Sequence, residues 1–235
     1  MSSFELPMPH DSLFQSKEDW QFNACVHFRF ERSRTEHAYI RGYKLAGDAL
    51  FEKVAQERSG VDFAVYPMAY NYRHYVELSL KSGLHWASAV LEHPQPNVQG
   101  HDLSKLWTDL RPLLEQRFQG EDPGVLDNAG RLILEFSEVD PRSTAFRYSH
   151  HDPSQKNPAL TPTTESVTLI NLRNLHEVMG RLYNFLDGVL TQLHVDWDDF
   201  CESKQIEDEQ RREYEAEWQA MMCEDFFGNR FDGYE

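Results

Sequence analysis

Three ionisable residues at steps of four, Arg73, Glu77 and Lys81, stand in the stretch Tyr66-Pro-Met-Ala-Tyr-Asn-Tyr-Arg-His-Tyr-Val-Glu-Leu-Ser-Leu-Lys81. On a helix, such steps put side chains on one face. A carboxylate between two cations, on a helix otherwise this apolar, has two readings. One is a salt-bridge ladder at a helix interface, each exposed pair contributing ~0.3–0.5 kcal/mol. The other is a polar pocket in which Arg73 or Lys81 holds a phosphate, Glu77 completes the ligand-binding wall, and His74 moves a proton.

A second group lies in Asp140-Pro-Arg-Ser-Thr-Ala-Phe-Arg-Tyr-Ser-His-His-Asp152, which gathers Arg142, Arg147, His150 and His151 ahead of a long loop. Loops held by a rigid scaffold are frequent carriers of chemistry. Arg147 could equally bond helix C-terminal carbonyls or Glu77, and the two histidines could simply be solvated. The pair His101-Asp102 is explained by Asp102 as a helix N-cap. The chain has 11 histidines but no HExxH, and His150-His151-Asp152 is too local to close a tetrahedral set, so no metal site and no cofactor are expected. The absence of GxxxxGK[ST], GxGxxG and GxSxG argues against P-loop hydrolysis and a nucleophile elbow.

The elements that position these residues read as helices. Glu36 to Glu57 carries Tyr39, Tyr43, Ala46, Leu50 and Val54 at steps of three and four, closed by Ser59-Gly60. A second helix is expected from near Pro67, a first-turn proline, to about Ala89. A third runs from an Asp102 cap to about Arg117 with a bend at Pro112, and a fourth from Asp122-Pro123 through Phe136, ended by Asp140-Pro141. Residues 149–166, rich in Pro, Ser, Thr and His, read as a long loop. The last helix alternates Leu172, Leu175, Met179, Leu182, Leu186, Val189 and Leu193, a narrow seam that suits a bundle or a homodimer. From Phe22 to Phe30 apolar residues fall on every second position, the pattern of a strand, with Ser143–Tyr148 as its candidate partner. The fold class is therefore all-α, a bundle of about five main helices with a minor two-stranded element. Its expected organisation is an irregular leader (1–19), a bundle (20–195) and an acidic C-terminal helix or tail (196–235).

Charge narrows the partners. The chain has a net charge of −16, and residues 196–235 alone hold 14 acidic against 4 basic residues. Such a body repels nucleic acid at long range, so RNA binding is disfavoured except in a locally basic cleft. The extension keeps Tyr214, Trp218, Met221, Met222, Phe226 and Phe227, which read as core or as an amphipathic surface for a protein partner. No run of eighteen apolar residues appears, so no membrane span is expected, and anionic membrane surfaces would repel the tail. Three cysteines without CxxC spacing, and no basic segment ahead of an apolar core at the N-terminus, suit a cytoplasmic protein with reduced thiols.

The residues Tyr-Arg-His-Tyr-Val-Glu-Leu-Ser-Leu-Lys at 72–81, His-Asp-Leu-Ser-Lys-Leu-Trp at 101–107 and Asp-Pro-Arg-Ser-Thr-Ala-Phe-Arg-Tyr at 140–148, followed by a long final helix, resemble the HEPN-like all-helical proteins. The resemblance covers about residues 36–195. It implies a helical bundle, a dimer, and a place in prokaryotic defence, stress or toxin–antitoxin biology. Where such proteins are enzymes, it implies metal-independent RNA cleavage. Their usual signature is an Arg followed after four to six residues by a His. Here Arg142 and His150 are separated by seven residues, and Arg147 and His150 by two. Arg32 and His37 have four between them, but at the start of the first long helix. On this reading His150 or His74 would take the 2′-hydroxyl proton, Arg147 or Arg73 would stabilise phosphorane charge, and Glu77, Lys81, Arg142 and His151 would bind ligand. The alternatives are a non-catalytic module whose acidic extension binds a protein, and a nucleotide or small-molecule sensor using the bundle pocket.

Overall fold

Among the described residues, five α-helices follow one 3-10 turn at Trp20–Phe22: α1 (Arg32–Glu57), α2 (Val61–Val90), α3 (Leu103–Arg117), α4 (Pro123–Val139) and α5 (Leu172–Gly228). The computed structural model describes residues 6–9, 12–26, 32–120, 122–149 and 167–228. The chain falls into two compact units, Met1–Ala38 and Tyr39–Glu235. In the first, reciprocal bonds between the Lys17 backbone and the Asn23 side chain close a loop around the 3-10 turn. The second holds the bundle.

α2 is the helix on which α3 and α5 pack, and α4 packs in turn on α3 and α5. It is buried on most faces between Met68 and Ser88. Its Met68, Tyr72, Tyr75, Val76, Leu80 and Leu84 meet Leu103, Leu106, Leu110 and Leu114 of α3, Ile133 of α4, and Met179, Leu182, Leu186 and Leu193 of α5 in one apolar cluster. The leucine seam expected on the last helix is thus buried inside this chain.

Local chemistry sets the ends. Asp102 caps α3 by accepting the Lys105 N–H at 3.2 Å, and Asp122 caps α4 by accepting the Gly124 N–H at 2.9 Å ahead of Pro123. Asn171 caps α5 through the Asn174 N–H at 3.0 Å. α2 starts a turn and a half before Pro67, at Val61, which corrects the expected start. Gly60, at φ 77°, turns the chain into the helix, and its carbonyl accepts the N–H groups of Phe63 and Ala64. Pro67 leaves the Phe63 carbonyl without its helical N–H donor. Burial of Ala64 and Met68 on the core side offsets that loss. α1 likewise begins earlier than read, at Arg32.

The described residues contain no strand, so the expected two-stranded element is not seen among them. Phe22 ends the 3-10 turn, residues 23–26 are irregular, and 27–30 lie outside the described residues. Ser143–Tyr148 forms turns because its donors are used locally. The Asp140 carboxylate accepts the N–H groups of Thr144 at 2.7 Å and Ala145 at 3.0 Å, and the Thr144 carbonyl accepts those of Arg147 and Tyr148.

α5 runs unbroken for 57 residues, about 85 Å at the helical rise. Arg117 at the end of α3 grips Asp196 with two bonds of 2.6 and 2.5 Å. Burial pulls the Asp196 carboxyl upward, but the Arg117 hydrogen bond outweighs it and leaves the pKa below the usual carboxylate range. Beyond Glu202 nearly every described residue of α5 is exposed. Among the described residues no helix is long and apolar enough to cross a membrane.

A buried carboxylate that meets the surface through a histidine

The ladder on α2 is buried. Arg73 and Glu77 are 0% and 1% exposed. All three guanidinium nitrogens of Arg73 donate: Nε to the Asp140 carbonyl at 2.9 Å, Nη1 to Glu77 Oε2 at 3.1 Å, and Nη2 to the His101 carbonyl at 2.7 Å. The Asp140 carboxylate lies 3.4 Å from Nε. One side chain thus ties α2 to the end of α4 and to the residue ahead of the α3 cap. Removing one partner of such a buried pair strands a charge and costs about 3–5 kcal/mol. All three guanidinium nitrogens of Arg73 are thus engaged within the chain.

Glu77 carries the chemistry outward. Its Oε1 accepts from Lys81 Nζ at 2.8 Å and from His101 Nδ1 at 2.8 Å. Burial pushes its pKa up, but hydrogen bonds from Lys81 and His101, with their charges, outweigh that and leave it below the ordinary carboxylate value. An ionised carboxylate only accepts, so the proton of this bond sits on Nδ1 of His101, and Nε2 is the ring nitrogen left outside it. The His101 side chain is 55% exposed and that of Lys81 22%, so this end of the network opens to solvent.

His74, next to Arg73 on α2, sits in a different environment. Its ring stacks on Tyr70 at 5.7 Å and meets Tyr43 edge-on at 4.3 Å. Its Nδ1 is buried with no partner among the described residues. Desolvation lowers its pKa, aided by Lys81, His101 and Arg73, although Glu77 pulls the other way. The imidazole is therefore neutral at neutral pH and unsuited to act as a general acid.

Arg147 lies over the rings of Tyr70 and Tyr148, 5.6 Å from each centroid, and its Nε donates to the Ser143 carbonyl. That places it against the Tyr70–His74 stack, while the residue that reaches Arg73 from this turn is Asp140. Arg142 is exposed. His150 and His151 lie outside the described residues.

Sequence reasoning gave His101 no role and used Asp140 only as a helix stop. Nothing in the sequence spacing sets a residue 24 positions from Glu77 on its oxygen. The only local signal was that Asp102, as an N-cap, fixes the backbone beside it.

A second polar cluster was also missed. Tyr72, fully buried, donates to Asp48 Oδ1 at 2.8 Å and lies 3.0 Å from His176 Nδ1, while Lys44 Nζ reaches Asp48 at 2.6 Å. Burial and the Asp48 hydrogen bond raise the Tyr72 pKa far above its usual value, so its proton stays in place. This cluster locks α1, α2 and α5 together. Only its Lys44–Asp48 step of four was readable. Among the described residues no group of three or more His, Cys, Asp or Glu is placed to hold a metal ion. No family model, no curated protein and no solved structure matches this chain.

Proposed function

We propose that this chain is a cytoplasmic HEPN-like protein of prokaryotic defence, stress or toxin–antitoxin type that cleaves RNA without a metal, with His101 as its general base. The observation that supports this most is the 2.8 Å bond from His101 Nδ1 to the buried, ionised Glu77. A carboxylate on one imidazole nitrogen fixes the tautomer and raises the basicity of the other. Nε2 of His101 takes the 2′-hydroxyl proton of a ribose, and the 2′-oxygen attacks the adjacent phosphorus. The 5′-oxygen leaves and takes a proton from water, giving a 2′,3′-cyclic phosphate and a 5′-hydroxyl. Lys81, partly exposed on the same carboxylate, supplies the cation nearest the phosphate. Arg73 holds the α2 and α3 ends of the dyad in register.

The test is incubation of the purified full chain with single-stranded RNA in the presence of EDTA, with the product ends mapped. His101→Gln is expected to lower cleavage by about 10²–10⁴-fold, the usual contribution of a general base, while leaving the Tm within a few degrees. Loss in Arg147→Ala and His150→Ala, with His101→Gln active, would move the chemistry to the turn after α4. No cleavage by the wild type under any of these conditions ends the enzymatic reading.

A second reading has its own support. Tyr214, Trp218 and Met221 of α5 are 68%, 50% and 59% exposed on a strongly acidic segment, a surface suited to a basic amphipathic partner helix. A homodimer through the last helix would use this same stretch, because Leu172, Met179, Leu182, Leu186 and Leu193 are buried within the chain.

A further inference from the structure

Between α4, the start of α5 and Ala69 of α2 lies a cavity of about 400 Å³, within the range of small-molecule sites. Its deep wall is Ala69, Met179 and Leu182, each 2% exposed or less. Val139 and Phe146 form the side nearest the turn after α4. Arg131 pairs with Glu135 at 3.9 Å, and the Asn171 side-chain oxygen accepts the Asn174 N–H. No net charge is left for an ionic head, and the space is too small for a helix about 10 Å across.

We propose that this cavity binds a small uncharged apolar molecule, an alkyl chain or an alkylated ring, and that its occupancy steadies the tie that holds Arg73. The wall and the tie are the same piece of chain. Val139 and Phe146 face the cavity, while Asp140 between them accepts Arg73 Nε on its carbonyl and the Thr144 and Ala145 N–H groups on its carboxylate. Ala69 stands one helical turn before Arg73 on α2. A molecule packed against Phe146 and Val139 opposes the opening of that turn and so favours the arrangement in which Asp140 grips Arg73. The proposal concerns binding and local stability, and stands or falls apart from RNA cleavage.

The experiment measures the Tm of the full chain with n-butylbenzene, 1-octanol or octanoate, together with hydrogen exchange at Thr144 and Ala145. The two uncharged probes are expected to raise the Tm by about 2–5 °C near saturation and to slow both amides several-fold. Val178→Trp, which fills the cavity, is expected to abolish both effects, with Leu132→Trp as the second filling variant should the first not fold. Val125→Trp, in a separate groove near the start of α4, should retain them. No Tm rise, or an equal rise in the filled variants, overturns the site. An octanoate effect as large as that of octanol overturns the uncharged class. A Tm rise with unchanged exchange at Thr144 and Ala145 overturns the link to the tie.

Discussion

Adjacent on α2, Arg73 and His74 show how one position decides between satisfaction and exposure to pH. Arg73 has a partner for each nitrogen, whereas His74 has a buried Nδ1 without one among the described residues and a pKa lowered chiefly by desolvation. A histidine whose folded pKa lies below its unfolded value near 6.5 leaves the unfolded chain binding more protons, so stability falls as pH drops from about 6.5 toward the folded pKa. Glu77 acts lower on the scale. Its folded pKa lies below the unfolded 4.5, so its contribution is complete above that value and is lost only as pH falls through the folded pKa. Urea unfolding from pH 7.5 to 4 should therefore show a decline that begins near pH 6.5 and steepens below about 4.5. His74→Phe, which fits among Tyr43 and Tyr70 and removes the unpaired nitrogen, should flatten the upper limb and leave the lower one. An unchanged upper limb in that variant would show that His74 is not its source.

At the scale of the helices, close approaches decide the packing. A Cβ built on Gly47 of α1 would stand 2.4 Å from the Tyr72 ring of α2. That ring cannot swing aside cheaply, because its hydroxyl is held by Asp48 and His176. Gly47→Ala should therefore destabilise the chain by about 1–3 kcal/mol, as overpacking does, and Tyr72→Phe in the same chain should reduce the penalty by freeing the ring. Equal penalties in the two backgrounds, measured by urea unfolding, would place the strain elsewhere. The same physics explains what was legible. The caps at Asp102 and Asp122 and the seam from Leu172 to Leu193 are local or periodic signals, and the structure places them where they were read. The start of α2 was misread because Pro67 is a strong local signal and the burial of Ala64 and Met68 is a tertiary one. The alternation from Phe22 and the segment Ser143–Tyr148 suggested a strand pair, yet a single carboxylate, Asp140, claims two of the donors a strand would need. In the site, the step of four from Arg73 through Glu77 to Lys81 was readable, and the structure forms both pairs. His101 and Asp140 were not assigned to it, because they arrive from 24 and 67 residues away.

At the scale of the second unit, α5 serves two different surroundings along one helix. Up to Leu193 it is a core helix, and Asp196 is still anchored by Arg117. Trp197 and Phe200 continue an aromatic run from Trp86, with ring centroids 5.9 and 5.5 Å apart, and Lys204 reaches Glu92 at 3.7 Å. Past that point nearly every described side chain faces solvent, including Ile206 at 48% and Tyr214 at 68% exposed. An isolated helix of this composition gains little from propensity alone, since most helical stability in proteins comes from a buried face. A chain ended after Lys204 keeps the anchoring contacts, and nearly all the described side chains it loses are exposed. Its Tm should therefore stay within about 2 °C of the full chain, a shift smaller than one lost core contact produces, while the circular dichroism loses the helical signal of the removed segment. A large fall in Tm would mean that the distal part of α5 is packed, against this chain or a second copy. Sedimentation of the full and shortened chains separates those cases: a dimer that becomes a monomer on truncation assigns the exposed aromatic stretch to self-association, and a monomer in both leaves that surface for a partner of opposite charge.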